Sequence, residues 1–255
     1  MVLGVVSADV SKEALAFARQ SFFDKDLIAS IVSGSPKGKE VYDACLKGIA
    51  KNVKTQPGGF KATSGVVLPY YLNLSTNFMD PDVATPLLWL VSECLMRIHA
   101  KVASSPDEKI ALVGMEVAGG MMVSQLAVCA SEEVKKRYDF VYMRKNKKST
   151  GTAQQLEGMT KFTSRTPTSE ALKTIWIDDV NSTGSSLCEG IATLKADYNM
   201  DVVSALYLVD RSKDRQNLEP TRQKLSDDQF VAKTTTIHAI MELDDIDKFV
   251  VLPTA

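Results

Sequence analysis

The segment TIWIDDVNSTGSSLCEG, residues 174–190, runs an apolar stretch into two adjacent acids, Asp178 and Asp179, and then into Val180, Asn181, Ser182, Thr183, Gly184, Ser185 and Ser186. Small residues let successive backbone N–H groups converge, and a helix opening at Ser185 adds its positive end, so the turn suits a phosphate. Acids beside a phosphate repel it. They make sense if they accept hydrogen bonds from a sugar's hydroxyls or hold a magnesium ion. A strand end followed by a helix cap explains one acid readily, but not two followed by this run of small residues. Dinucleotide and P-loop sites are excluded on pattern: no GxGxxG follows any strand, and GxxxxGK[ST] is absent.

Other chemistry-bearing residues carry ordinary readings when taken singly. Arg144, Lys145, Lys147 and Lys148 make up a basic stretch that could be a solvated loop, and Arg211 in VDRS could form a surface ion pair with Asp210 or Asp214. His99 falls in an amphipathic helix and His238 in a strand, where a structural histidine is expected. The balance of 30 Lys+Arg against 31 Asp+Glu provides no global field to recruit nucleic acid or an anionic membrane. Cys45, Cys94, Cys129 and Cys188 are widely spaced with no CxxC pair, so free thiols in a reducing compartment are expected rather than a zinc site or a disulfide framework. The opening MVLGVVSADVSKEA has no basic region before its apolar run and has Val2, so neither a secretory signal nor myristoylation is expected.

The elements that must position these residues follow from periodicity. Thr85 to Val102 is the longest apolar segment, but Glu93, Arg97 and His99 interrupt it; it reads as a helix capped by Thr85 with Pro86 at its first position. Strands are expected at 109–114, 138–143, 174–178, 202–209 and 234–241, with helices over 119–131 and 185–198. Apolar strands alternating with helices make an α/β domain whose central, mostly parallel sheet is flanked by helices. Ligands in such sheets bind beyond the carboxyl ends of the strands, where the 174–190 segment lies. Residues 1–55 read as an N-terminal helical extension, two helices joined by the turn-rich SGSPKG, ahead of a main domain at 56–255.

Taken together, several segments resemble the orotate phosphoribosyltransferases among the type I phosphoribosyltransferases. IWIDDVNSTGSSL resembles that family's loop for phosphoribosyl pyrophosphate (PRPP), and FKATSGVVLPYYLN (60–73) resembles its N-terminal hood signature. VGMEVAGGMMVSQLA (113–127) resembles its Gly-rich turn, FVYMRKNKKSTGTAQQLEG (140–158) its mobile catalytic loop, and VDRS (209–212) its orotate-binding segment. The matches cover about residues 58–250, in the family's order.

The resemblance implies the type I phosphoribosyltransferase fold with a small hood, and transfer of ribose 5-phosphate from PRPP to orotate, giving orotidine 5'-monophosphate and pyrophosphate. It implies that Asp178 and Asp179 bind the ribose hydroxyls and that the backbone from Val180 through Asn181, Ser182, Thr183, Gly184 and Ser185 to Ser186 holds the 5-phosphate; if residues 60–64 are extended, Lys61 lies on the same face as Thr63, two residues away, and can supply the pyrophosphate charge that Thr63 lacks. Arg144, Lys145 and Lys148 belong to the loop that closes over pyrophosphate; Arg211 grips the orotate carboxylate, with Tyr70, Tyr71 and Ser64 around the base. Mg2+ is the implied cofactor, held mainly by PRPP and water with Asp178 or Asp179 as candidate ligands. A cytoplasmic homodimer with loops exchanged between subunits is also implied. Because no DxKxxD segment occurs, orotidine monophosphate decarboxylase is expected as a separate partner. Departures from the family are Thr63, Ala118 and Thr150 where lysine, lysine and histidine are usual, and Ser182 for threonine. They leave two other readings: a PRPP-fold binding or regulatory protein, or a transferase for another nucleobase.

Overall fold

The computed structural model describes residues 25–34, 36–61, 67–147, 154–158, 170–181, 184–211 and 235–250. The described part of the N-terminal extension comprises helix α1 (Lys25–Val32) and helix α2 (Pro36–Lys51), which bury Leu27, Ile28 and Ile31 with Cys45, Leu46 and Ile49. The expected joining turn is shorter than SGSPKG, because α2 already begins at Pro36, and proline suits a first helical turn. Residues 1–24, where the first helix was expected to begin, lie outside the described residues.

An antiparallel hairpin follows, β1 (Lys54–Lys61) and β2 (Val67–Tyr71), and then the short helix α3 (Leu74–Asn77). Helix α4 starts earlier than the sequence suggests. It spans Pro81–Val102, Asp80 caps it by accepting from the Asp82 N–H at 3.1 Å, and Pro86 lies inside the helix. Asp80-Pro81 and Thr85-Pro86 are both cap-plus-proline signals, and the one that adds a further turn of buried contacts through Val83 and Ala84 prevails.

The remaining chain builds the sheet. It contains β3 (Ile110–Met115), helix α5 (Ala118–Cys129), helix α6 (Glu132–Arg137), β4 (Tyr138–Met143), β5 (Leu156–Glu157), β6 (Leu172–Asn181), helix α7 (Ser185–Tyr198), β7 (Met200–Asp210), β8 (Thr236–Glu242) and helix α8 (Leu243–Asp247). Strand order is β5-β4-β3-β6-β7-β8, parallel throughout except for β5 against β4. The expected α/β architecture with a mostly parallel sheet is present.

Alternate residues of the central strands serve two cores. Ile175 and Ile177 pack with Leu87, Leu90, Leu95 and Ile98 of α4 and Met122 and Leu126 of α5, whereas Trp176 packs with Leu187, Cys188, Ile191 and Leu194 of α7. His99 is structural, its Nε2 lying 2.8 Å from the Glu108 carbonyl and its ring meeting Tyr138 edge-on. None of the four cysteines is in a disulfide, and only Cys129 is exposed. Among the described residues no helix is long and apolar enough to cross a membrane.

The two competing caps of α4 are separable by substitution. Asp80→Ala should lower stability by about 0.5–2 kcal/mol in urea unfolding, whereas Thr85→Ala should change it by less than about 0.5 kcal/mol. A larger loss at Thr85 would return the helix start to the position suggested by the sequence.

Candidate active site

The acids lie within a strand rather than after one. β6 pairs with β7 through Asp178–Tyr207, Val180–Val209 and Asn181–Asp210, so the strand continues to Asn181, three residues beyond the expected end. The cause is on β7, whose apolar run through Val209 offers partners that far. Asn181 closes the pairing with its side chain: its Nδ2 donates to Asp210 Oδ1 at 3.0 Å, and its carbonyl accepts from the Arg211 N–H at 3.1 Å.

Helix α7 opens at Ser185, as expected, from Gly184 at φ 71°, a left-handed conformation that favours glycine. Ser182 and Thr183 lie outside the described residues; Ser186 is exposed on the first turn of α7. The positive end of α7 therefore opens immediately after the acids.

Asp178 and Asp179 are half-buried neighbours, each held by the next peptide: Asp178 Oδ1 accepts from the Asp179 N–H at 3.0 Å, and Asp179 Oδ1 accepts from the Val180 N–H at 2.8 Å. Burial pushes the Asp178 carboxyl well above the ordinary carboxylate range, and the adjacent Asp179 charge pushes it further. Burial also raises Asp179, partly offset by the Val180 N–H. The pair is costly to ionise without a ligand.

A second helix N-terminus meets the same site. The first turn of α5 lies directly on β6: a Cβ on Gly119 would stand 2.6 Å from the Ile177 carbonyl oxygen and 3.2 Å from Asp178 Oδ1. Only glycine permits that approach. Ala118, the position where the family often has lysine, is a buried residue opening this helix.

Of the candidate base-binding residues, Arg211 is 9% exposed, and no carboxylate pairs with its guanidinium among the described residues. The ion pair with Asp210 considered from sequence does not form, since Asp210 accepts from Asn181 instead; Asp214, the other partner considered, lies outside the described residues. Tyr70 and Tyr71, adjacent on β2, point to opposite faces. Tyr70 is buried and its hydroxyl donates to Asp247 Oδ1, whereas Tyr71 is 48% exposed with its ring 6.0 Å from that of Phe60. Tyr71 is the one open to a ligand. Lys61 is exposed at the end of β1, and Ser64 and Thr63 lie outside the described residues.

The stems of the basic loop are described, while Lys148 and Thr150 are not. Two of its three described cations already have partners. The Arg144 Nε and Nη2 donate to Glu157 Oε1 at 3.1 and 3.0 Å, and Lys147 Nζ lies 2.7 Å from Asp197 Oδ2. Lys145 is exposed and has no carboxylate partner among the described residues. Sequence reasoning missed Glu116, Gln155, Glu157, Asp197 and Asp247, the residues that hold these elements. Their partners lie in other segments, and no local pattern marks such contacts.

No family model matches the chain. It is 24% identical over 190 residues to the orotate phosphoribosyltransferase of Bifidobacterium longum, covering 74% of this chain and 78% of the relative. Against the orotate phosphoribosyltransferase of Halobacterium salinarum it is 26% identical over 163 residues, 64% of this chain and 78% of the relative. A solved orotate phosphoribosyltransferase from Mycobacterium tuberculosis superposes with a TM-score of 0.53 at 15% identity, over 80% of this chain and 98% of that one. An adenine phosphoribosyltransferase from Trypanosoma brucei, in complex with AMP, pyrophosphate and ribose-5-phosphate, does so with a TM-score of 0.52 at 14% identity, over 79% and 80%.

The raised carboxyls set a sign for stability. A group whose folded pKa is raised leaves stability intact below the ordinary carboxylate range, near 4, and costs stability as pH rises through its folded value. Asp178→Asn keeps an oxygen for the Asp179 N–H but removes the charge. It should therefore raise the unfolding temperature of the ligand-free protein at pH 7, with the gain shrinking toward zero as pH falls to about 3.5. A loss at pH 7, or a gain independent of pH, would contradict the charge penalty.

Proposed function

Starting from a chain with the type I phosphoribosyltransferase fold, whose sequence relatives are orotate phosphoribosyltransferases, we propose that the protein transfers ribose 5-phosphate from PRPP to orotate. Pyrophosphate leaves through a cationic, oxocarbenium-like transition state, so catalysis consists mainly of positioning and charge stabilisation. Asp178 and Asp179 accept hydrogen bonds from the ribose hydroxyls, each with the carboxyl oxygen its neighbouring peptide leaves free. The positive end of α7 and the peptides from Val180 to Ser186 hold the 5-phosphate. Lys145, Lys148 and Lys61 face the pyrophosphate, with Arg144 held beside Glu157 at the stem of the same loop.

The observation that carries the reading to orotate is Arg211. Its guanidinium is buried and pairs with no carboxylate among the described residues, and orotate brings a carboxylate matching its two-pronged geometry. Tyr71 lies against the base, and Tyr70, bonded to Asp247, fixes the strand that carries it.

Magnesium fits as a shared ligand rather than a resident one. The ion would take its oxygens mostly from PRPP and water, with Asp178 or Asp179 adding one. When bound it would neutralise charge on the pyrophosphate. We further propose a cytoplasmic homodimer in which the basic loop of one subunit serves the site of the other.

Mixing the protein with PRPP, magnesium and a panel of orotate, uracil, adenine, guanine and hypoxanthine tests the reading. Orotate absorbance should fall with stoichiometric pyrophosphate release, and Arg211→Ala should abolish most of that activity. Ribosylation of adenine instead would favour the base named in the Trypanosoma brucei relative. PRPP binding without ribosylation of any base would leave a binding or regulatory protein.

A further inference from the structure

Lys145 has no ionic partner among the described residues, but its main chain is held on both sides. Its N–H donates to Glu116 Oε2 at 3.1 Å, and its carbonyl accepts from Gln155 Nε2 at 3.3 Å. Gln155 also donates through Nε2 to the Arg144 carbonyl at 2.9 Å, its own carbonyl accepts from the Arg144 N–H at 2.8 Å, and its N–H donates to the Tyr198 hydroxyl at 3.3 Å. Gln155 is only 6% exposed, so these bonds form where water competes poorly.

Glu116 sits in the turn between β3 and α5, two residues before the helix whose first turn touches Asp178. Its N–H donates to the Met143 carbonyl at 2.8 Å, so the turn and the loop stem are joined by both main chain and side chain. The effect is to fix the Lys145 peptide relative to the acid pair. The adjacent cations are meanwhile tied to the frame, Arg144 by Glu157 and Lys147 by Asp197. Lys145 alone of the three leaves its charge available to an anion at that end.

We propose that Glu116 and Gln155 are positioning residues, acting through the Lys145 main chain to aim its ammonium at the pyrophosphate end of the site. The inference rests on the transferase reading for the identity of the anion, but not on turnover. Glu116 contributes as an acceptor: its negative charge would repel pyrophosphate, and its value lies in the bond to the Lys145 N–H.

Magnesium pyrophosphate binding to the full-length protein, measured by titration calorimetry, tests this. Lys145→Ala and Glu116→Ala should each weaken binding by about three- to tenfold, the range expected for one net hydrogen bond or exposed charge contact. The double variant should bind no more than about twofold worse than Lys145→Ala alone, because Glu116 acts through a side chain already removed. Glu116→Gln, which keeps the acceptor oxygen, should bind at least as tightly as the parent protein. Gln155→Ala should follow Glu116→Ala; if burial makes it unfold, the exposed Glu116 series decides alone. The inference is overturned if the parent protein does not bind pyrophosphate, if Glu116→Ala has no effect, if the two losses multiply, or if Glu116→Gln is as damaging as Glu116→Ala. Coupled losses in a protein that ribosylates no base would sink the transferase reading and leave this inference standing; an active transferase with multiplicative losses would do the reverse.

Discussion

Two carboxylates side by side near the end of one strand, both lifted above the ordinary range by burial, are a liability in an empty protein. Each accepts a backbone N–H from the next residue, which leaves its second carboxyl oxygen for another donor. A ligand that supplies hydroxyl donors there converts a folding cost into binding energy. The surrounding elements hold the acids where that exchange is available.

The supporting frame has three parts. The Asn181–Asp210 bond closes the pairing of β6 with β7 just beyond the acids, and the Asn181 carbonyl holds the Arg211 N–H. Gly119 lets the first turn of α5 lie against β6 at Asp178, where the positive end of a helix favours negative charge. Glu116 and Gln155 then tie the stem of the basic loop to the same turn.

Legibility in the sequence followed how local the determinants are. β4 and α7 are found at their expected bounds, and β3, β7 and β8 within two residues of theirs, because unbroken apolar runs and helical periodicity leave few alternatives. The hairpin was not read as one: β1, KTQPGGFK, is almost entirely exposed and contains Pro57, and it becomes a strand by pairing with β2. The acids, Arg211 and the basic loop could be nominated as candidates from residue type and order alone. Their partners could not, since Arg144 meets Glu157, Lys147 meets Asp197, and Tyr70 meets Asp247 only after folding.

The most direct measurement is a crystal structure of the protein with PRPP, magnesium and orotate bound. The account predicts the ribose 2'- and 3'-hydroxyls within hydrogen-bond distance of Asp178 and Asp179, the 5-phosphate at the first turn of α7, and the orotate carboxylate on Arg211. Ribose bound elsewhere, with the two acids facing only water and Arg211 contacting no ligand, would contradict it.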